Sequence, residues 1–326
     1  MRALLYTRTG PATEVLHLAD RPLPRPGPGA VRVRVAASGV NPHDTKSRSG
    51  WSGREVPPGG VIPHSDGAGV IDAVGTGVES ARIGERVFVL GAPHGAGTAA
   101  DHVVVPSLQA PPLPPTFSMA EGACIGVPAY TAWLAVLADG PVAGQLVVVQ
   151  GGGGAVGRIA VELARLSGAT VLATGRSEQS RAVAAARGAH HVLPAGDATA
   201  LRDMVARLGD GRGAARIVEV DFAANRALDA ALLAPHGTLA AYSCSSDRTP
   251  PLDYYAFARK AARLSFVQGN DLTPAELAGA TACLTRHFAA GQLRPDIAAT
   301  HPLDRAARAH EAVERGAPAN IVVTID

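Results

Sequence analysis

The chain has 326 residues and a formal charge of +2, with 47% hydrophobic, 18% charged and 4% aromatic residues. This length predicts two domains, and the apolar share predicts packed cores while excluding a disordered chain. The balanced charge gives no electrostatic reason to expect nucleic acid or an anionic membrane as the main partner.

The opening "MRALLYTRTG" has neither a long apolar core nor a cleavage-like site. No stretch reaches the roughly eighteen apolar residues of a membrane helix, so a soluble, cytoplasmic protein is expected. Cys124, Cys244 and Cys283 lie far apart with no CxxC pair, which predicts buried thiols rather than a disulfide framework or a cysteine zinc finger.

As far as about Phe117, short strand-like runs are broken by glycine and proline. In "AVRVRVAASGV", Val31, Val33 and Val35 fall on one face and Arg32 and Arg34 on the other, the period of two of a half-buried strand. The proline-rich "RPLPRPGPG" and "APPLPPTFS" sit between such signals and are expected to be extended connectors, the second leading into the next domain.

After Met119 the text alternates between apolar runs and Ala/Leu-rich segments. "LVVVQ" and "ATVLATG" predict buried strands around a helix "AVGRIAVELARLSG" that Gly168 ends. A second helix, "SRAVAAARGA", is followed by strands at "HHVLP", "ARIVEVDF", "GTLAAYS" and "ARLSFVQGN". This succession predicts an α/β fold with a doubly wound parallel sheet. Helical text follows, and "NIVVTID" returns to strand.

Within the glycine quartet after the first of these strands, Gly152, Gly154 and Gly157 satisfy G-x-G-x-x-G. Among 37 glycines such a string arises easily by chance. Its place between a buried strand and a helix starting near Ala155 gives it meaning. Gly152 is expected to permit the tight turn, Gly154 to let the backbone approach a pyrophosphate, and Gly157 to let helix and strand pack closely. The N–H groups at Ala155 and Val156 and the positive helix end attract phosphate.

About twenty residues on, an NAD site would place an acid on the ribose 2′-OH, but the sequence there is Thr174, Gly175, Arg176 and Ser177. An arginine can grip a 2′-phosphate that an acid would repel. NADPH is therefore the expected cofactor, with Arg176 and Ser177 as its contacts and Arg181, one helical turn on, as support.

Taken together, "AASGVNPHDTKSRSG", "PHSDGAGVIDAVGTGV", "GERVF", "EGACIGVPAYTAW", "GGGGAVGRIAVELARLSGA" and "GAHHVL" resemble the medium-chain dehydrogenase/reductase superfamily. Within it the chain is similar to the zinc-free, zeta-crystallin-like NADPH:quinone oxidoreductases. The resemblance implies a Rossmann domain over residues 122–270. It also implies a GroES-like, β-rich catalytic domain over residues 1–121 completed by 271–326, a cofactor cleft where the two meet, and a homodimer through the last Rossmann strand around residues 264–268. It further implies that Tyr130 and Thr131 flank the nicotinamide, the alternative being that their helix is core. Ser243 ends the fifth strand, where the carboxyl edge of the sheet lines the crevice, and is another cofactor candidate.

Zinc-dependent relatives keep ligands at positions matching Asn41, Ser65 and Val127, none of which is an ordinary zinc ligand, so no metal is expected. His64 and Cys124 lie near these positions but out of register. The adjacent residues of "HSD" cannot form a relay in an extended segment, because successive side chains point to opposite faces. The same argument removes His190 and His191.

A nicotinamide cofactor without a Lewis acid suits acceptors that are already electrophilic, namely quinones and carbonyl-conjugated alkenes. Asn41 either donates its amide to the oxygen on which charge develops or satisfies its own loop beside Pro42. Asp44 anchors that loop or contacts cofactor. Lys46 stands where many members of the subfamily carry tyrosine, and Trp51 where they carry another aromatic; Lys46 donates a proton, draws in a polar acceptor, or is an ordinary exposed lysine, the commoner case. Two other readings stay open: an enoyl-thioester reductase, and a non-enzymatic NADPH-binding protein that contacts RNA as some zeta-crystallin relatives do.

Overall fold

Short strands bounded by turn residues build the first part of the chain in the computed structural model, which describes residues 1–325. They run β1 (Arg2–Leu5), α1 (Ala12–Val15), β2 (His17–Asp20), β3 (Ala30–Val40), α2 (Pro42–Ser49), β4 (Asp66–Val74), β5 (Arg86–Val89), β6 (His102–Pro106) and the single turn α3 (Met119–Gly122). Strand β3 has the expected two faces. Val31, Val33 and Val35 are buried, whereas Arg32 pairs with Asp72 and Arg34 is exposed.

Helix α2 interrupts the run of strands that the sequence suggests here. Pro42 opens it, the Asp44 carboxylate accepts the Asn41 N–H at 2.8 Å, and Gly50 ends it with a left-handed φ of 87°. These signals stand in the sequence, but an eight-residue polar helix has no apolar periodicity to reveal it.

The next elements are α4 (Val127–Leu137), β7 (Leu146–Val149), α5 (Ala155–Leu166), β8 (Thr170–Gly175), α6 (Glu178–Ala186), β9 (His191–Pro194), α7 (Ala198–Leu208) and β10 (Ala214–Glu219). They continue with α8 (Phe222–Leu232), β11 (Leu233–Ala241), α9 (Tyr254–Ala258), β12 (Arg263–Phe266) and α10 (Pro274–Ala289). Six parallel strands stand in the order β12-β11-β10-β7-β8-β9. Strand order reverses between β7 and β10, and ligands of such sheets bind beyond the carboxyl ends of the strands at that point. Strand β7 is apolar along its whole length, as suits a parallel strand covered on both faces.

The chain then returns through β13 (Ile297–Pro302), α11 (Ala306–Glu314) and β14 (Asn320–Thr324). Strand β14 pairs antiparallel with β3, giving the order β13-β14-β3-β4-β5 with β6 also on β3. Ile321 and Val323 thereby join the core built by Val31, Val33 and Val35. The described residues divide into two compact units, residues 1–127 with those from 285 on, and residues 128–284. Among the described residues, no helix is long and apolar enough to cross a membrane.

Candidate active site

Between the end of β7 at Val149 and the start of α5 at Ala155, the chain turns on its glycines. The left-handed φ, 71°, belongs to Gly151 and not to Gly152, which corrects the expectation that Gly152 permits the tight turn. Gly152 instead marks a close approach, since a Cβ there would lie 2.8 Å from the Ala173 Cβ. Gly157 packs against the turn itself, because a Cβ there would stand 2.1 Å from the Gly151 carbonyl oxygen. Gly153 is equally constrained, with its Cβ position 2.3 Å from the Ser180 carbonyl oxygen.

Gly154 differs from the others. Its Cβ position meets only the Gly151 oxygen, at 3.4 Å, so that side of the turn is open. As the residue that caps α5 it offers no side chain to the N–H groups of Ala155, Val156 and Gly157, and the helical ladder begins with Arg158 N–H to the Gly154 carbonyl at 3.0 Å. An uncapped helix start beside an open turn carries unsatisfied donors and the positive end of the helix dipole, which is the chemistry a diphosphate requires. The residues present therefore fit a dinucleotide.

Two braces of this turn escape the sequence. Arg158, 1% exposed, bends its guanidinium back to the carbonyls of Gly153 at 2.7 Å and Gly154 at 3.3 Å. Gln150 accepts from the Thr174 hydroxyl at 2.8 Å and donates to Asp229 at 3.0 Å, while Thr174 accepts the Gly151 N–H at 3.2 Å. Burial and the charge of Glu219 hold Asp229 well above the usual carboxylate range. Helical periodicity marks the position of Arg158 as an apolar one, so nothing in the pattern announces its role.

At the end of β8, a Cβ on Gly175 would lie 2.4 Å from the Ser180 hydroxyl and 2.9 Å from the Arg181 backbone nitrogen. An acidic side chain has no room there. Arg176 is exposed. Ser177 caps α6 by accepting the Ser180 N–H at 3.1 Å, which leaves its own hydroxyl hydrogen to donate. Arg181 turns back toward the Gly175 carbonyl at 3.4 Å.

Ser243 lies two residues beyond β11, with its hydroxyl 2.9 Å from that of Ser245. Tyr130, expected to flank a nicotinamide, is fully buried in α4, its hydroxyl 2.8 Å from that of Thr281, and burial pushes its phenol up to about 12. Thr131 beside it is 4% exposed. Helix α4 is apolar nearly throughout, so its side chains serve packing first.

In the first unit, Asp66 gathers the polar groups. Its carboxylate accepts from the Asn41 amide at 2.8 Å and from the Val127 N–H at 2.8 and 2.9 Å. Burial pushes Asp66 up to about 7 against these hydrogen bonds. Asn41 thus satisfies a neighbour with one amide hydrogen and carries a second. Asp44 is buried, yet His43 and the Asn41 N–H hold its carboxyl below the usual range, and it anchors the start of α2. Lys46 rests its ammonium 4.7 Å from the centre of the Trp51 ring.

His43 is a residue that sequence reasoning misses. Its Nε2 lies 2.7 Å from the Ser65 hydroxyl and 3.1 Å from Asp44 Oδ1. Its only sequence signal is adjacency to Asn41 and Asp44. The three side chains of "HSD" do go to separate partners, since His64 turns to Ser38 at 2.8 Å and to His310 at 2.9 Å. The direction of that chain follows from its end. Thr98 donates to the Asp66 carbonyl, so Ser38 donates to Thr98, His64 Nδ1–H to Ser38, and His310 Nε2–H to His64. His64, accepting at Nε2, is then neutral, and burial pushes His64 down to about 4 and His310 well below its ordinary value.

A zinc ion does not fit these residues. The Asn41 amide and the Val127 N–H both donate to Asp66, Ser65 is bonded to His43, and among the described residues no three His, Cys, Asp or Glu side chains gather as a ligand set.

Residues 27–115 match the family model of the alcohol dehydrogenase GroES-like domain, and residues 155–285 match that of zinc-binding dehydrogenase. The chain is 32% identical to the quinone oxidoreductase of Rattus norvegicus over 314 residues, 95% of this chain and 93% of the relative. Among solved structures, an NAD-dependent alcohol dehydrogenase is 29% identical with a TM-score of 0.87, and a mycobacterial protein complexed with NADPH is 27% identical with a TM-score of 0.88. Each covers 100% of both chains. Because the likeness to the rat enzyme extends through both units, the chain belongs to the zeta-crystallin-like quinone oxidoreductases of the medium-chain dehydrogenase/reductase superfamily.

Proposed function

We propose that the chain binds NADPH and reduces quinones, or alkenes conjugated to a carbonyl, without a metal ion. The observation that carries this reading is the end of β8, where Gly175 excludes an acid and Arg176 stands exposed. That arrangement favours the phosphorylated coenzyme of the mycobacterial neighbour over the NAD of the alcohol dehydrogenase. The quinone acceptor is the one named for the rat relative.

When bound, the reduced nicotinamide supplies a hydride. The open face of Gly154 and the N–H groups of Ala155, Val156 and Gly157 hold the diphosphate. Arg176 and Ser177 take the 2′-phosphate, with Arg181 in support and Thr131 and Ser243 as further contacts. The second Asn41 amide hydrogen donates to the acceptor oxygen as charge develops on it, in place of a Lewis acid. Asp66 orients that amide and Asp44 fixes the loop that carries it.

The experiment is NADPH oxidation with quinones, enones and enoyl-CoA thioesters, before and after chelation. Quinones and enones turning over equally well after chelation is the expected result. Tight NADPH binding with no acceptor reduced, or activity lost to the chelator, contradicts the proposal. A homodimer through β12 belongs to the same reading, because β12 is the open edge of its sheet and Phe266 on it is 67% exposed. Light scattering that reports a monomer removes it.

A further inference from the structure

Hydride transfer to a quinone or enone leaves an anionic oxygen, and the reduction is complete only when a proton reaches the product. Neither Asp66 nor Lys46 stands ready for this. Asp66 spends its carboxylate on Asn41 and Val127, and the Lys46 ammonium lies over Trp51. The imidazole of His43 is placed differently.

His43 is the second residue of α2, two residues from Asn41, and its side chain is 38% exposed beside an Asp44 that is buried. A single ring nitrogen, Nε2, faces both Asp44 Oδ1 at 3.1 Å and the Ser65 hydroxyl at 2.7 Å. With a proton on Nε2 this nitrogen donates to both oxygens, and the Ser65 O–H is free to point elsewhere. Ser65 itself is 8% exposed, as is Asn41.

We infer that His43, acting through the Ser65 hydroxyl, delivers the proton that completes reduction of the acceptor. The inference rests on the reductase reading of the site. In the step, the anionic oxygen takes the Ser65 hydroxyl proton while Ser65 Oγ takes the proton of His43 Nε2. The O–H bond of the product forms, the N–H bond of His43 breaks, and the half-exposed ring recovers its proton from water. One NADPH, one proton and one acceptor give NADP⁺ and the reduced acceptor, so electrons and protons balance.

The surroundings of His43 suit an acid. Burial disfavours its charge, but Asp44, by charge and hydrogen bond, and Asp66 by charge outweigh burial and the opposing charge of Arg54, and its pKa stands above the ordinary 6.5. These groups come from α2 itself, from the start of β4 and from the segment after α2.

His43→Gln keeps a side chain able to bond Ser65 but unable to ionise, and Ser65→Ala removes the relay. In wild-type protein, kcat with a quinone is expected to fall as pH rises through the His43 pKa. In His43→Gln it falls about a hundredfold with the pH limb gone, while KM and NADPH affinity hold. Ser65→Ala is expected to lose a similar factor and Ser65→Thr to recover most of it. NMR titration of the His43 ring without any acceptor is expected to give a midpoint above 6.5.

His43→Gln with wild-type kcat and an intact pH limb, or a ring midpoint at or below 6.5, overturns the relay and leaves the reductase reading standing. Wild-type protein that binds NADPH and reduces no acceptor overturns both.

Discussion

Gly157→Val is expected to abolish NADPH binding by deforming the turn, whereas Gly154→Ala is expected to leave the fold intact and weaken NADPH alone. At Gly157 the new Cβ would stand 2.1 Å from the Gly151 carbonyl oxygen and 2.9 Å from its carbon. Both are backbone atoms, so only separation of α5 from the turn relieves the clash, at a cost of about 3 kcal/mol. At Gly154 the Cβ makes one ordinary contact, and the φ of −76° suits alanine. An unchanged melting temperature is therefore expected for Gly154→Ala.

If the open face of Gly154 is where a diphosphate approaches, that methyl group stands in its way. A loss of about tenfold in NADPH affinity, about 1.4 kcal/mol, is expected by fluorescence titration. Gly154→Ala that binds NADPH like wild type would place the diphosphate elsewhere.

The second large effect is at Asp66. Asp66→Ala strands two buried donors, the Asn41 amide and the Val127 N–H, at about 1–3 kcal/mol each. A loss of about 4 kcal/mol and of acceptor turnover is expected, because the Asn41 amide is no longer oriented. Asp66→Asn keeps an oxygen for both donors and is expected to be far milder.

The pH dependence has a definite sign. Burial raises Asp66 from 3.8 in the unfolded chain to about 7 in the folded one, so the folded state binds the proton more tightly. The associated stability is complete below 3.8 and is lost as pH rises through about 7, at about 1.4 kcal/mol per pH unit. Asp66→Asn has no proton to lose. Between about pH 5 and pH 7 the stability difference between variant and wild type is expected to move about 3 kcal/mol in favour of the variant, as measured by urea unfolding. Parallel pH curves would show that Asp66 is not held near neutrality.

Much of this architecture is legible in the sequence, for identifiable reasons. Strand β3 announces itself because one of its faces is valine and the other arginine, and β7 because a strand covered on both sides admits only apolar residues. Gly168 and Gly188, which end α5 and α6, take φ values of 81° and 92°, so their residue type alone carries the message. Helices α2, α7 and α8 are harder, being short and partly polar.

The site is readable where chemistry is written along the chain and hidden where it is assembled in space. The glycine turn, Arg176 and Asn41 lie within continuous motifs. The Asp66 carboxylate joins Asn41 to Val127, residues 25 and 61 positions away, and His43 meets Ser65 across 22. No periodicity encodes such meetings. Nor does the pattern say which glycine of four takes the positive φ, because all four are glycine and only the packing of Ala173 and Ser180 against Gly152 and Gly153 distinguishes them.

The most direct measurement is a paired titration of wild-type protein and Arg176→Ala with NADPH and NADH. A charge-assisted bond to the 2′-phosphate is worth about 1.5–3 kcal/mol, so wild type is expected to bind NADPH about ten- to a hundredfold more tightly, and Arg176→Ala to bind the two nearly alike. Equal affinities in wild type, or a preference that survives removal of Arg176, would contradict the account.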